Sequence, residues 1–205
     1  MYKEFTIIDF MSKLASDSSS PGGGSVAALV GAAACGLISM VASLTIGKKG
    51  YEENQELMHK LIDELALKRE EFLNAIDEDP ESYRKVIECY RLPNNTDEEK
   101  ARRSEAIQMA LIEATKVPLA IAERATDLFD YAEKVIEKGN KSAASDGAVG
   151  ALMARGCILA AIYGVRTNVK SIKDESLSKE FLDKAAELEE LAITREAEVR
   201  ALLPY

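Results

Sequence analysis

Three consecutive glycines, Gly22, Gly23 and Gly24, stand directly before Ser25 and a run of 21 uncharged residues, positions 26–46. The first N–H groups of a helix have no intrahelical partner, and a backbone without Cβ lets a ligand come close. A helix start also favours negative charge, and Ser25 adds a hydroxyl. The pattern is not a Walker loop, because no Gly-Lys-Ser/Thr follows. Two readings stand: a cradle for a ligand, or a tight loop packed on a neighbour. At the far end of the same segment lie Lys48 and Lys49. They suit a helix C-terminus electrostatically, or they grip a carboxylate-bearing ligand. A helix of roughly 20 residues is about 30 Å long, so only a long ligand or two chains would join its two ends.

Further polar residues carry similar alternatives. Asp79 and Tyr83 are four apart and share a helix face. They offer a proton acceptor and donor to a polar heterocycle, or serve as a helix N-cap and a core residue. Asn140, Asp146 and Asn168 flank a second small-residue segment, as ligand contacts or as helix-end residues. Arg155 interrupts that apolar segment, either paired with a buried acid or holding substrate. His59, the sole histidine, lies in the polar stretch NQELMHKLIDE and reads as a surface residue. Proton transfer in an enzyme of this sequence therefore falls to Asp, Tyr, Lys or water, not to a Ser-His-Asp triad.

The elements that position these residues read as helices throughout. Ala, Leu, Glu and Lys dominate and no β-type alternation appears. A short helix follows Thr6, and SDSSSPGGG forms a loop. A helix runs from about 25 to 46, and an amphipathic one from about 52 to 77. Asp79-Pro80-Glu81 then reads as an N-cap, first-turn proline and first-turn acid, restarting a helix that ends before Leu92-Pro93. Thr96-Asp97-Glu98-Glu99 is a capping box opening a long helix to about 138, with Pro118 as its kink. Gly139-Asn140 breaks the chain. Helices over about 142–165 and 175–203 complete an all-α, single-domain bundle spanning 1–205, with the two small-residue helices at its centre.

Composition narrows the function. A hydrophobic share of 47% supports a sizeable core, and a net charge of −9 disfavours nucleic acid and anionic membranes as partners. The two apolar segments have the length of membrane spans, but Ala, Gly and Ser dominate them and the second holds Asp146 and Arg155. Close helix packing in a bundle is the better reading. Three scattered cysteines, Cys35, Cys89 and Cys157, indicate a reduced, cytoplasmic chain without disulfides or zinc-type spacing.

Several segments resemble, in order, the cyclodeaminase family. They are SPGGGSVAALVGAAACGLISMVASLTIGKKGYE from Ser20, DPESY at 79–83, RLP at 91–93, RRSEAIQMALIEATKVPLAIA at 102–122, GNKSAASDGAVGA at 139–151 and RTNVKSI at 166–172. The family includes the C-terminal domain of formiminotransferase-cyclodeaminase and stand-alone bacterial relatives. The resemblance implies an all-helical homodimer acting on tetrahydrofolate derivatives without metal or cofactor. As a cyclodeaminase it would convert 5-formiminotetrahydrofolate to 5,10-methenyltetrahydrofolate and ammonia. A methenyltetrahydrofolate cyclohydrolase and a non-catalytic folate-binding module are the alternatives. On this reading Asp146, Asn140 and Asn168 form a polar constellation for the pterin. Asp79 and Tyr83 move protons, with Asp146 as a further catalytic candidate. Gly22, Gly23, Gly24 and Ser25 cradle the ligand, and Lys48 and Lys49 attract the carboxylates of a folate tail, mono- or polyglutamylated.

Overall fold

Among the described residues the chain forms seven α-helices: α1 (Ile7–Leu14), α2 (Gly23–Ser43), α3 (Gln55–Tyr90), α4 (Asp97–Ala125), α5 (Leu128–Lys138), α6 (Ala144–Val169) and α7 (Glu175–Ala201). The structure is a computed structural model and describes residues 1–203. Pro204 and Tyr205, the last two residues of the expected domain, lie outside the described residues.

α2 is the central element, packed along α3 on one side and α6 on the other. Its composition explains this position. Ala27, Ala28, Ala34, Cys35, Ile38, Val41 and Ala42 are fully buried, and their small volumes bring neighbouring backbones close. At Gly150 of α6 a Cβ would sit 2.6 Å from Ile38 Cγ1, so this helix pair tolerates only glycine there. α2 and α6 run antiparallel. Asn140, before α6, donates its backbone N–H to Thr45 Oγ1 beyond the end of α2 (2.8 Å), and the start of α2 shares a cavity with the end of α6. Larger side chains, led by Phe72 and Phe129, are fully buried, and Phe72 packs against Gly31 of α2. α2 and the segment Lys141–Val169 are long and apolar enough to cross a membrane, with hydropathies of 2.1 and 1.7. Here 56% and 44% of those stretches are buried inside the bundle.

Arg155 pairs with an acid, as one reading held. Its Nη1 lies 3.1 Å from Glu196 Oε2 on α7, and Glu196 is buried. His59 is exposed. Thr96 and Glu99 form the expected capping box, and the Thr6 hydroxyl caps α1.

Two boundaries differ from expectation. α3 does not restart at Asp79. It continues through Pro80, so Asp79 is not the N-cap of a new helix. The long helix expected to reach Lys138 runs on through Pro118 and breaks instead at Thr126–Asp127. There the Thr126 hydroxyl bonds the Glu123 carbonyl at 2.7 Å, a local bond that competes with helix continuation.

Candidate functional site

Both prolines inside helices leave a backbone carbonyl without its helical donor. Pro80 has no N–H for the Ile76 carbonyl, and Pro118 has none for that of Ala114. A polar side chain from a small-residue helix fills each gap. The Ser25 hydroxyl of α2 donates to Ile76 O at 2.7 Å, and Asn168 Nδ2 of α6 donates to Ala114 O at 2.9 Å. These bonds pin the start of α2 to α3 and the end of α6 to α4.

The pinned ends enclose a cavity of about 530 Å³, lined by Gly22, Gly23, Gly24, Asp79, Tyr83 and Asn168, among others. Four consequences give it chemical character. Gly23 and Gly24 begin α2, so their N–H groups have no partner within the helix. A Cβ on Gly24 would overlap the Asp79 carboxylate, so glycine is required for Asp79 to stand at the start of α2. Burial pushes the Asp79 carboxyl above the usual carboxylate range, and a hydrogen bond from the Ser25 N–H partly opposes this. Asn168 commits its Nδ2 to Ala114, which fixes the amide's orientation and leaves Oδ1 as an acceptor free of intrachain partners among the described residues.

Tyr83 is 49% exposed, a wall of the cavity and not core. Tyr163 is 62% exposed and lines the same cavity. Sequence reasoning missed it, although an aromatic residue five positions before Asn168 in a segment of Ala, Gly and Ile was a usable signal. Two such rings suit a flat heterocycle. A neighbouring groove of about 770 Å³ adjoins the cavity through Ser19, Pro80 and Tyr83.

The other expected site residues lie elsewhere in the chain. Asn140 is buried. It caps the 3-10 turn before α6 by accepting from Ser142 N (3.1 Å), and it accepts from Lys48 Nζ (2.5 Å). Asp146 is half-buried in the first turn of α6. Asp146 and Asn168 are separated by about 33 Å along that helix. Within one chain, therefore, Asn140, Asp146 and Asn168 do not form one constellation. Lys48 and exposed Lys49 share the Asn140 end. Asn168 does not stop α6 but lies in its last turn, which runs to Val169.

The glycine-capped cavity of this helical bundle brings together a carboxyl, two phenol rings and an oriented amide, groups chemically able to exchange protons with a flat polar ring. Comparison with known proteins narrows the class. Residues 6–187 match the family model described as formiminotransferase-cyclodeaminase. Over 177 residues the chain is 41% identical to a methenyltetrahydrofolate cyclohydrolase of Methylorubrum extorquens, covering 86% of this chain and 85% of that one. It is 32% identical over 194 residues to formimidoyltransferase-cyclodeaminase of Gallus gallus, covering 95% of this chain but only 36% of that longer protein. The crystal structure of a formiminotetrahydrofolate cyclodeaminase from Thermotoga maritima matches with a TM-score of 0.87 at 30% identity, covering 99% and 98% of the two chains. The chain belongs to the formiminotransferase-cyclodeaminase family, as its sequence motifs implied.

Proposed function

We propose that this protein is a methenyltetrahydrofolate cyclohydrolase, opening and closing the one-carbon bridge between N5 and N10 of tetrahydrofolate. The observation that carries this reading is the 41% identity to a cyclohydrolase over 85% of that protein's length, joined to a half-buried carboxyl at the mouth of a pterin-sized cavity. Asp79 acts as base and then acid. It takes a proton from the water that adds to the methenyl carbon, and returns it to N5 as the C–N5 bond breaks. The hydroxyl proton of the tetrahedral carbon leaves to solvent, giving the 10-formyl product and one proton. Tyr83 assists by hydrogen bonding to the addition product. Asn168 Oδ1 accepts from a pterin N–H, and the N–H groups of Gly23 and Gly24 meet ring acceptors. The chemistry is written entirely with protein groups and water.

A second reading has its own support. The similar Thermotoga maritima structure is described as a formiminotetrahydrofolate cyclodeaminase. There N10 would attack the carbon of the protonated formimino group, Asp79 would relay the N10 proton to the resulting amine, and ammonia would leave with the C–N bond electrons, giving the methenyl cation. Absorbance at the methenyltetrahydrofolate band separates the two. Decay of supplied methenyltetrahydrofolate above its uncatalysed rate supports the hydrolase. Growth of the band from 5-formiminotetrahydrofolate, with ammonia released, supports the deaminase. Silence in both refutes each.

The reading includes a homodimer. α2 and α6 leave an apolar strip with Met40 38%, Leu44 50%, Val149 43% and Leu152 45% exposed. Antiparallel pairing of two copies along the full length of this α2–α6 face, beyond these four residues, would set the Lys48–Asp146 end of one protomer beside the glycine cavity of its partner. Asp146, Asn140, Lys48 and Lys49 then contribute from across the interface, Asp146 to the pterin edge and the lysines to anionic groups. Sedimentation of the protein as a monomer at assay concentration would refute this arrangement. The three free cysteines, two of them buried, favour a reducing, cytoplasmic setting.

A further inference from the structure

A second cavity, of about 300 Å³, lies between the end of α3, the start of α4 and the α6–α7 connection. Its lining includes Lys100, Arg103 and Lys173, together with Tyr90, Ser104 and Gln108. Three cations in one small cavity stand out in a chain of net charge −9. Their charges are poorly compensated. Lys100 pairs with Asp97 at 2.9 Å, but that carboxylate is 98% exposed, so the pair is weak. Arg103 directs Nε and Nη2 to the Tyr90 carbonyl (3.1 and 2.8 Å), and Lys173 Nζ bonds the Ser104 hydroxyl (2.8 Å). Neither has a carboxylate within ion-pair distance among the described residues. The adjacent Asp174 is committed to capping α7 through the Leu177 N–H.

The framework holds these groups in place. Gln108 Nε2 donates to Ser171 O, and its Oε1 accepts from Lys173 N at 2.7 Å, fastening the α6–α7 connection to α4. Two helices place the cavity at a similar offset from the glycine cavity. Along α3, Tyr83 to Tyr90 is about 10 Å, and along α4, Ala114 to Gln108 is about 9 Å; Ser171 follows Asn168 by three residues, just past the end of α6. Both helical steps lead toward the α3–α4 connection.

We infer that this basic cavity is a carboxylate subsite, holding the anionic tail of a substrate whose ring lies in the glycine cavity. The offset is comparable to the aminobenzoyl linker that separates a folate's pterin from its glutamate. The inference rests on the folate reading for the ligand's identity, while the cation cluster stands on its own geometry. A free oxyanion such as phosphate is the other source of the same chemistry.

Two measurements test it on the full chain. In calorimetric titration, tri-γ-glutamate binds the wild-type protein. Lys173→Gln and Arg103→Gln each weaken it about tenfold, the effect of one charge-assisted contact. Lys173→Gln keeps a bond to Ser104, so it removes charge with little structural loss. In turnover, a triglutamyl substrate shows a lower KM than the monoglutamyl form; Lys173→Gln removes that difference and also raises the monoglutamyl KM, because its own glutamate carboxylates reach the same cavity, while kcat is unchanged. Equal triglutamate affinity in all variants, or a tail effect lost in Lys48→Gln but not in Lys173→Gln, overturns the inference. Phosphate binding at these residues without any tail effect overturns the tail assignment in favour of a free anion. If no folate is turned over, the folate reading fails, and the titration still decides whether the cavity binds carboxylates.

Discussion

Ser25→Ala isolates the hydrogen bond that replaces the one Pro80 removes. Ser25 is fully buried and Ile76 is 2% exposed, so the variant leaves the Ile76 carbonyl without a donor and without water. An unsatisfied buried acceptor costs about 1–3 kcal/mol. For a domain of this size about 2 kcal/mol lowers Tm by about 4–8 °C. The reasoning is tested by a cycle with Pro80→Ala. An alanine at position 80 supplies the missing N–H four residues after Ile76. The Ser25→Ala cost should then fall, giving a coupling of about 1–2 kcal/mol between the two sites. Pro80→Ala alone should be neutral or stabilising, because proline is a poor interior helix residue by about 3 kcal/mol relative to alanine. Urea or thermal denaturation of the four proteins at one concentration provides the numbers. Equal Ser25→Ala costs in both backgrounds, within about 0.5 kcal/mol, would refute the idea that the hydroxyl stands in for the proline's absent donor.

Three further variants have expected outcomes. Asp79→Asn should slow turnover by about 10²–10⁴-fold, as loss of a general base does, and should remove the acid limb of the pH–rate profile. The same variant should be more stable than wild type at neutral pH. The folded pKa of Asp79 is raised, so the native state holds its proton to higher pH than the unfolded chain, and stability falls as pH rises through that window. A wild-type-minus-variant stability difference flat with pH would contradict the burial argument. Gly24→Ala should destabilise by about 1–3 kcal/mol and impair turnover, because its Cβ displaces the Asp79 carboxylate; unchanged kcat would show that Asp79 need not stand there. Asn168→Asp should raise KM and cost about 1–3 kcal/mol, since an acceptor would then face the Ala114 carbonyl; adding Pro118→Ala should recover stability, read by thermal denaturation, but not KM.

Local signals in the sequence determined the helical bundle and most of its ends. Thr96 to Glu99 is a self-contained capping box, and the Ala- and Gly-rich runs of α2 and α6 can be stable only when closely packed. The family motifs marked Gly22–Gly24, Asp79, Tyr83 and Asn168 as site residues, and these do meet in one cavity. What sequence could not show is how far apart the remainder stand. Asn140 and Asp146 are close to Asn168 in motif order, yet α6 is 26 residues long, so they sit at its opposite end. Asp79-Pro80-Glu81 carries every local mark of a helix start. Only the tertiary structure decides otherwise, because the donor that lets α3 continue past Pro80 comes from Ser25, 51 residues earlier. The same non-local bond sets Asp79 against α2, and its counterpart from Asn168 orients the amide. Propensity and capping act within a few residues of chain. The site depends on carbonyls freed in one helix and satisfied by another, which only packing brings together.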